Sequence, residues 1–580
     1  MKLYKNNSLS LLLHPQNNEM KDFSKAIIEC VPNFSEGRNM ATIKHITDEI
    51  ERIEGVKLLD VDPGKATHRT VVTFVGNPYD VIEAAFQAIK MAAHHIDMRN
   101  HTGEHPRMGA TDVCPLIPIS GITVEETVEF AKKLAKRVGE ELNIPTYLYE
   151  YAASAPYRKN LADIRSGEYE GFAAKILKPE WKPDYGHTFN ERSGATVIGV
   201  RDFLIAYNVN LNTTSTRRAN SVAFDIREKG RQKKDANGKI AKDANGEPIW
   251  EPGLLKNVKA IGWFIEEYGV AQISINLTNM HTTPLHVVFD TAVERSAARG
   301  MRATGSELVG LVPLEALLEA GRYFLRKQQR STGVGEAELI RIAVMSMGLD
   351  QLAPFDPQKK IIEYCMQDAA KKKLVDMTLT RFAGETAGET PAPGGGSIAA
   401  YCGVLGAALG TMVANLSAHK KGWDSRWEEF SNHADKGQAL MKELLYLVDE
   451  DTNAYNHIMA AYSLPKSNDA EKAARKAAID AATVYAIKIP FRTMELAFQS
   501  FALAKDMAQH GNPNCASDAG VGALCARAAV KGTYLNVKTN AKGLPDNEEV
   551  KQILAKSEEM NAACDTLEQE VWNIALAQMK

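Results

Sequence analysis

Cysteine is scarce and unpaired along the 580 residues. The seven cysteines, at positions 30, 114, 365, 402, 515, 525 and 564, are an odd set without a C-x-x-C pair. Such spacing suits neither a disulfide framework nor a zinc finger, and it fits a reducing cytosol. An excess of positive charge is also missing. With 24% charged residues and a formal net charge of -3, the composition does not point to nucleic acid as a partner. The chain has no Gly-Lys-Ser/Thr phosphate loop, no G-x-S-x-G elbow and no H-E-x-x-H pair. A nucleotide P-loop, a serine nucleophile and a helical zinc site therefore have no support. At the N-terminus, Lys2 and Lys5 precede Leu9-Ser10-Leu11-Leu12-Leu13, which is shorter than a secretory apolar core, and His14-Pro15-Gln16 is a poor cleavage context. Residues 1–24 read as a disordered leader, with Met20 as an alternative start.

What is present is length and clear periodicity. At roughly 100 to 200 residues per domain, the chain holds about three or four units. Strand-like runs at 26–31, 56–61, 70–75 and 114–119 alternate with helical spacing at 40–53 and from Pro78 to 96. The resulting order is β-α-β-β-α-β, the split βαβ unit of ferredoxin-like folds. Thr123 and Glu126 then open an added helix with a capping box, and 146–151 reads as a strand. The same order returns with strands at 203–211, 258–265, 270–277 and 308–312 and helices at 215–227 and 284–299. Between them, two Asn-Gly turns at 237–238 and 245–246 mark a surface hairpin insertion. Helices follow at 314–327 and 336–347, and Lys371-Lys372-Lys373 reads as a solvated linker. From about Val375 strand signals vanish and helical periodicity runs almost to Lys580. The expected class is α+β: two ferredoxin-like subdomains, 25–202 and 203–366, a linker at 367–374, and an all-α bundle over 375–580.

Three stretches carry chemistry. Asn100-His101-Thr102-Gly103-Glu104-His105-Pro106-Arg107-Met108-Gly109-Ala110-Thr111-Asp112 is a loop by its Gly and Pro punctuation, rich in titratable groups. It suggests a histidine acting as general acid or base, against a structural histidine bonded within its own loop. Pro393-Gly394-Gly395-Gly396-Ser397 leads into a twenty-residue uncharged stretch, 397–416, with Gly406 and Gly410 in a G-x-x-x-G pattern. By length this is a transmembrane candidate, but its Gly and Ala content, the internal Asn415 and the lack of a second span favour a central helix with close neighbours. Glycines at a helix N-terminus present backbone N–H groups to an anionic or carbonyl ligand, although taken alone they are a weak signal that favours a tight turn forced by packing. Finally, positions 440, 444, 447, 448, 451, 455, 458 and 459 share one helix face, apolar except for Asp451. A carboxylate in an apolar stripe is desolvated and able to exchange a proton near neutrality, unless a neighbouring Lys or Arg pairs with it. Asp449 and Glu450 point elsewhere, toward solvent.

These residues also carry a family signature. Ile27-Ile28-Glu29-Cys30-Val31-Pro32-Asn33-Phe34-Ser35-Glu36-Gly37, the Gly103 to Gly109 loop and Asp112-Val113-Cys114-Pro115 resemble the formiminotransferase domain. Pro393 to Ser397 with Leu447-Val448-Asp449-Glu450-Asp451 resembles the cyclodeaminase domain. The resemblance implies the bifunctional formimidoyltransferase-cyclodeaminase family. It implies N5 of tetrahydrofolate attacking the formimino carbon of N-formimino-L-glutamate, then N10 attacking that carbon with loss of ammonia, giving 5,10-methenyltetrahydrofolate in histidine breakdown. His105 matches the family's catalytic histidine, Asp451 its catalytic aspartate, and Asp62 resembles a transferase-site acid, against a turn-forming Asp before Pro63. The family's folate loop corresponds to Gly186, His187, Thr188, Phe189, Asn190, Glu191, Arg192, Ser193 and Gly194, with Glu191-Arg192 departing from its apolar form. Gly394, Gly395, Gly396 and Ser397 are the implied folate contacts of the deaminase. The resemblance further implies tetrahydrofolate, polyglutamylated in some forms, as co-substrate without metal or redox cofactor, a cytoplasmic setting, and a homo-oligomer built from dimers. A non-catalytic folate-binding scaffold and a transferase using formylglutamate remain the alternatives.

Overall fold

A computed structural model of the chain describes residues 23–65, 68–102, 106–235, 237–366, 373–390, 392–544 and 546–579. The leader (1–22), the centre of the linker (367–372) and Gly103, Glu104 and His105 lie outside the described residues. The class is α+β, as expected.

The first unit runs β1 (Ile27–Cys30), β2 (Asn33–Phe34), α1 (Met40–Glu51), β3 (Val56–Gly64), β4 (Arg69–Gly76), α2 (Pro78–His95), β5 (Thr111–Ser120), α3 (Val124–Glu141), β6 (Thr146–Glu150), α4 (Leu161–Arg165), α5 (Glu168–Lys175) and β7 (Thr196–Val200). Helix starts follow local chemistry. Asn39 and Asn77 cap α1 and α2, and the Thr123 and Glu126 side chains bond each other's backbone N–H groups. The second unit runs β8 (Ile205–Leu211), α6 (Thr216–Ile226), β9 (Arg231–Gln232), β10 (Trp250–Glu251), β11 (Val258–Ile265), β12 (Val270–Leu277), α7 (Leu285–Ala297), β13 (Ala303–Val309), α8 (Leu314–Lys327) and α9 (Glu336–Met347), closed by the short α10 (Pro357–Lys360) and α11 (Ile362–Cys365).

In the first sheet β1 and β2 stand between β4 and β5, and β3 flanks β4, all antiparallel. In the second, the order is β11-β12-β8-β13. In both, the strands of the β-α-β-β-α-β unit therefore stand in the spatial order second, third, first, fourth. One strand has no counterpart in the sequence reading, and two expectations need correction. Thr196–Val200 is a strand, paired in parallel with β5 and β6; it lies outside the repeated unit, so the repeat gives no hint of it. The last strand of the second unit is Ala303–Val309 rather than 308–312, because Gly310 turns the chain at φ +79°. Strand β3 continues through Pro63 and Gly64, so Asp62 is a strand residue; Pro63 is tolerated because β3 pairs only with β4.

Glu29 stands on β1 between Ile28 and Cys30, which both point into the core shared with α1 and α2; alternation turns Glu29 to the opposite face. It is only 7% exposed, and burial pushes its pKa from 4.5 up to about 7, opposed by Arg201. A raised carboxylate pKa means that the folded state holds the proton longer than the unfolded one, so stability falls as pH rises from 4.5 through 7. Glu29→Gln is expected to stabilise the protein by ~3 kcal/mol at pH 8 and by little at pH 4, which urea melts at the two pH values would read.

The last third comprises α12 (Leu379–Thr386), α13 (Gly395–Ala418), α14 (Trp427–Ser463), α15 (Asp469–His510), α16 (Ala516–Ala541) and α17 (Glu548–Gln578). Helix α13 packs against α14, α15 and α16. It is the one helix among the described residues long and apolar enough to cross a membrane, yet its small residues are filled by neighbours. A Cβ on Gly403 would come 3.1 Å from Leu444, on Gly406 2.9 Å from the Gly522 carbonyl, and on Gly410 2.8 Å from Leu503. This is the close packing of a core helix. The α8–α9 loop docks on this bundle: Thr332 donates from Oγ1 to Asp435 (2.7 Å) and from N–H to Ser431 Oγ (3.0 Å), and Asn415 donates to the Gly333 carbonyl (2.8 Å).

Candidate functional site

Two constellations stand far apart in sequence. In the first unit, Ser35 donates from Oγ to the Gly109 carbonyl (2.7 Å), Ala110 N–H to the Ser193 carbonyl (2.8 Å) and Ala195 N–H to the Met108 carbonyl (3.0 Å). The 33–37 turn, the 106–112 segment and the 186–194 loop thus form one cluster. Glycine is required at its contact: a Cβ on Gly109 would overlap the Ala195 and Ser193 carbonyls, and Gly194 adopts φ +66° against Met108.

Within this cluster His101 is fully engaged. Its Nε2 bonds the His68 carbonyl (3.0 Å) and its Nδ1 accepts from Arg107 Nε (3.2 Å), while its ring stacks on His68 at 4.3 Å. Burial holds its pKa below the usual histidine value. Both of its ring nitrogens are thus bonded to protein atoms. Arg107 is buried, and it donates to Glu168 (2.9 Å) and Glu170 (2.6 Å) on the first turn of α5. Asp112, fully buried on β5 rather than in the loop, accepts from Met108 N–H (2.9 Å) and pairs with Arg165. Burial and Arg165 push the Arg69 guanidinium down while Asp112 and Asp62 oppose them, so Asp62, exposed on β3, belongs to the same charged cluster. A cavity of about 470 Å3 opens beside it, lined by Thr102, Arg107, Gly167, Glu168 and Glu170. His105 itself lies outside the described residues. The contribution of Glu168, Glu170 and Arg165 has no signal in sequence, since they sit in ordinary helix starts and ends.

The 186–194 loop divides by task. Phe189 packs on Phe172 (5.6 Å between centroids), and Asn190 accepts from Ser193 N–H (3.0 Å). Arg192 donates to the Ala93 and His94 carbonyls, capping the C-terminal end of α2. Ser193 and Gly194 are buried, Gly186 turns the chain at φ +68°, and His187, Thr188 and Glu191 face solvent.

The second constellation lies where α13 begins. Ser397 donates from Oγ to the Val448 carbonyl (2.8 Å) and to Asp451 Oδ2 (3.3 Å), and its backbone N–H also bonds the Asp451 carboxylate. Gly396 lies flat against that carboxylate, where a Cβ would overlap it. Burial raises the Asp451 pKa, and the two Ser397 bonds restrain the rise. Gly394 caps α13 without any side-chain bond, so the positive end of the helix faces Asp451. Among the described residues, no Lys or Arg pairs with Asp451. The structure brings Gly394 to Ser397 and Asp451 together; it does not bury the whole predicted stripe. Leu444, Leu447 and Val448 are buried, whereas Tyr455 and Met459 are exposed. Glu450, expected in solvent, is 5% exposed, because Tyr485 of α15 donates to it; Asp449 is half-buried and accepts from Leu374 N–H (2.6 Å).

Residues 27–201 match the formiminotransferase domain, N-terminal subdomain; residues 206–367 match the formiminotransferase domain; residues 378–559 match formiminotransferase-cyclodeaminase. A formimidoyltransferase-cyclodeaminase of Rattus norvegicus is 41% identical over 523 residues, 90% of this chain and 93% of the rat protein. One of Gallus gallus is 42% identical over 522 residues, with the same shares. A glutamate formimidoyltransferase of Streptococcus pyogenes serotype M1 is 41% identical over 301 residues, 52% of this chain and 93% of its own length.

Proposed function

The chain belongs to the formimidoyltransferase-cyclodeaminase family, and we propose that it runs two half-reactions at two sites. In the first, N5 of tetrahydrofolate attacks the formimino carbon of N-formimino-L-glutamate. The bond from that carbon to the glutamate nitrogen breaks, and glutamate leaves once its nitrogen is protonated. In the second, N10 attacks the same carbon of the protonated formimino group, the N10 proton moves to the departing nitrogen, ammonia leaves, and the 5,10-methenyltetrahydrofolate cation remains. On this reading the enzyme is both a transferase and an ammonia lyase, acting in histidine breakdown.

The assignment of roles follows from proton traffic. His105 serves as acid and base in the transferase, with Asp62 as a further transferase-site acid, and His187, Thr188 and Glu191 as the solvent-facing folate contacts of the 186–194 loop. Asp451 carries the N10 proton to the leaving nitrogen, and the Gly394 to Ser397 turn holds the folate. The observation that carries the second half is the Asp451 carboxylate, buried against Gly396 and bonded by Ser397, without a cationic partner among the described residues. A raised pKa suits a group that must take and return a proton near neutrality.

The same reading divides the chain into a leader (1–24), transferase halves 25–202 and 203–366, a linker (367–374) and a deaminase 375–580. The shared second-third-first-fourth strand order supports two ferredoxin-like halves. The protein is taken to be cytoplasmic and a homo-oligomer built from dimers. Incubating it with tetrahydrofolate and N-formimino-L-glutamate is expected to release one glutamate and one ammonia per 5,10-methenyltetrahydrofolate. Tight folate binding without either product would leave a scaffold instead.

A further inference from the structure

The first turn of α13 is touched from two sides. Asp451 of α14 lies against Gly396, and on the other side Asn536 of α16 brings its Oδ1 to 3.7 Å from where a Cβ on Gly395 would stand. The two helices are close here: a Cβ on Gly532, one turn before Asn536, would meet Ala399 at 3.0 Å. Asn536 is half-buried, and its Nδ2 is fully buried without a hydrogen-bond partner. The contrast with the next turn is direct. Asn540, four residues on, donates from Nδ2 to the Ala486 carbonyl at 2.8 Å. An orphaned buried amide donor costs free energy, and native proteins keep one where something else completes it. The oxygen of the same amide stands beside the glycine turn on which the proposed folate site is built.

We propose that Asn536 is a substrate-positioning residue of the deaminase, its side-chain amide hydrogen-bonding the bound folate across the glycine turn from Asp451. This rests on the deaminase half of the proposed function. Asn536 moves no proton: its amide fixes where the folate lies, so that N10 and the leaving nitrogen both meet the Asp451 carboxylate. An amide at this position gives a neutral donor that leaves the Asp451 charge undisturbed, whereas a carboxylate would repel it and offer no donor.

The test is steady-state deamination of supplied 5-formiminotetrahydrofolate by the full-length chain and by Asn536→Ala and Asn536→Asp, with glutamate release by the transferase and thermal melting as controls. The expected result is a KM raised about tenfold in Asn536→Ala and further in Asn536→Asp, the ammonia-release pH profile keeping its acid limb, and glutamate release unchanged. Asn536→Ser replaces any variant whose melting shows that the bundle no longer folds. A KM within twofold of the starting protein in variants that fold, or a displaced acid limb with unchanged KM, would overturn the assignment. Absence of ammonia release by the unaltered chain is a separate outcome, and it would count against the deaminase reading itself.

Discussion

Asp451→Asn is expected to cut ammonia release by roughly 10²- to 10⁴-fold, the range set by losing a positioned acid–base group, while glutamate release continues at the unaltered rate. The substitution keeps the size of the side chain and an oxygen for the Ser397 bonds, so the first turn of α13 has no reason to move. With tetrahydrofolate and N-formimino-L-glutamate supplied, 5-formiminotetrahydrofolate should accumulate. The pH dependence carries the same signature. Because burial raises the Asp451 pKa, the acid limb of ammonia release should lie above the range of an exposed aspartate. The stability sign is opposite to the activity sign. A folded pKa above the unfolded one means that stability falls as pH rises through that window, so the ionised carboxylate weakens the fold at neutral pH. Asp451→Asn should therefore melt higher than the unaltered chain at pH 7.5 and lose that advantage in acid. This is the usual trade at a site whose chemistry needs a desolvated charge.

Gly396→Ala should be nearly as damaging to ammonia release, for a steric reason. The added Cβ overlaps the Asp451 carboxyl group, whose three atoms are the nearest to it. A side-chain tip can swing aside where backbone cannot, so the bundle should fold with Asp451 displaced from the Ser397 bonds. A misplacement of this kind costs on the order of 10²-fold in rate. Gly384→Ala, in α12 and outside the glycine turn, is the control, because a Cβ there meets nothing within 4 Å. Equal ammonia release from both alanine variants would count against a carboxylate held by the turn.

How far each site can be read in sequence follows from where its partners come from. Asp451 stands out because helical spacing sets it in line with Leu444, Leu447 and Val448, which are buried. The same spacing sends Glu450 to solvent and fails there. Its partner Tyr485 arrives from another helix, thirty-five residues away, and periodicity within one helix carries nothing about what packs beside it. The stripe also fails at Tyr455 and Met459, which are exposed although Ala454 and Ala461 on the same helix are buried. In the transferase, Gly103, Pro106 and Gly109 announce a loop, but the partners of its histidines are not legible there. His101 is bound to His68 and Arg107, and neither bond is visible in a spacing. The repeated β-α-β-β-α-β order is legible because each strand and helix has its own local pattern. β7 is not part of that repeat: it is a fully buried five-residue strand held by two parallel neighbours.

The central claim is that one chain holds two separable sites, and the most direct measurement assays both half-reactions in both His105→Ala and Asp451→Asn. The expected result is a double dissociation. His105→Ala deaminates supplied 5-formiminotetrahydrofolate at the unaltered rate but releases no glutamate from N-formimino-L-glutamate, and Asp451→Asn does the reverse. Loss of both half-reactions in either folded variant, or ammonia release at the unaltered rate by Asp451→Asn, would contradict it.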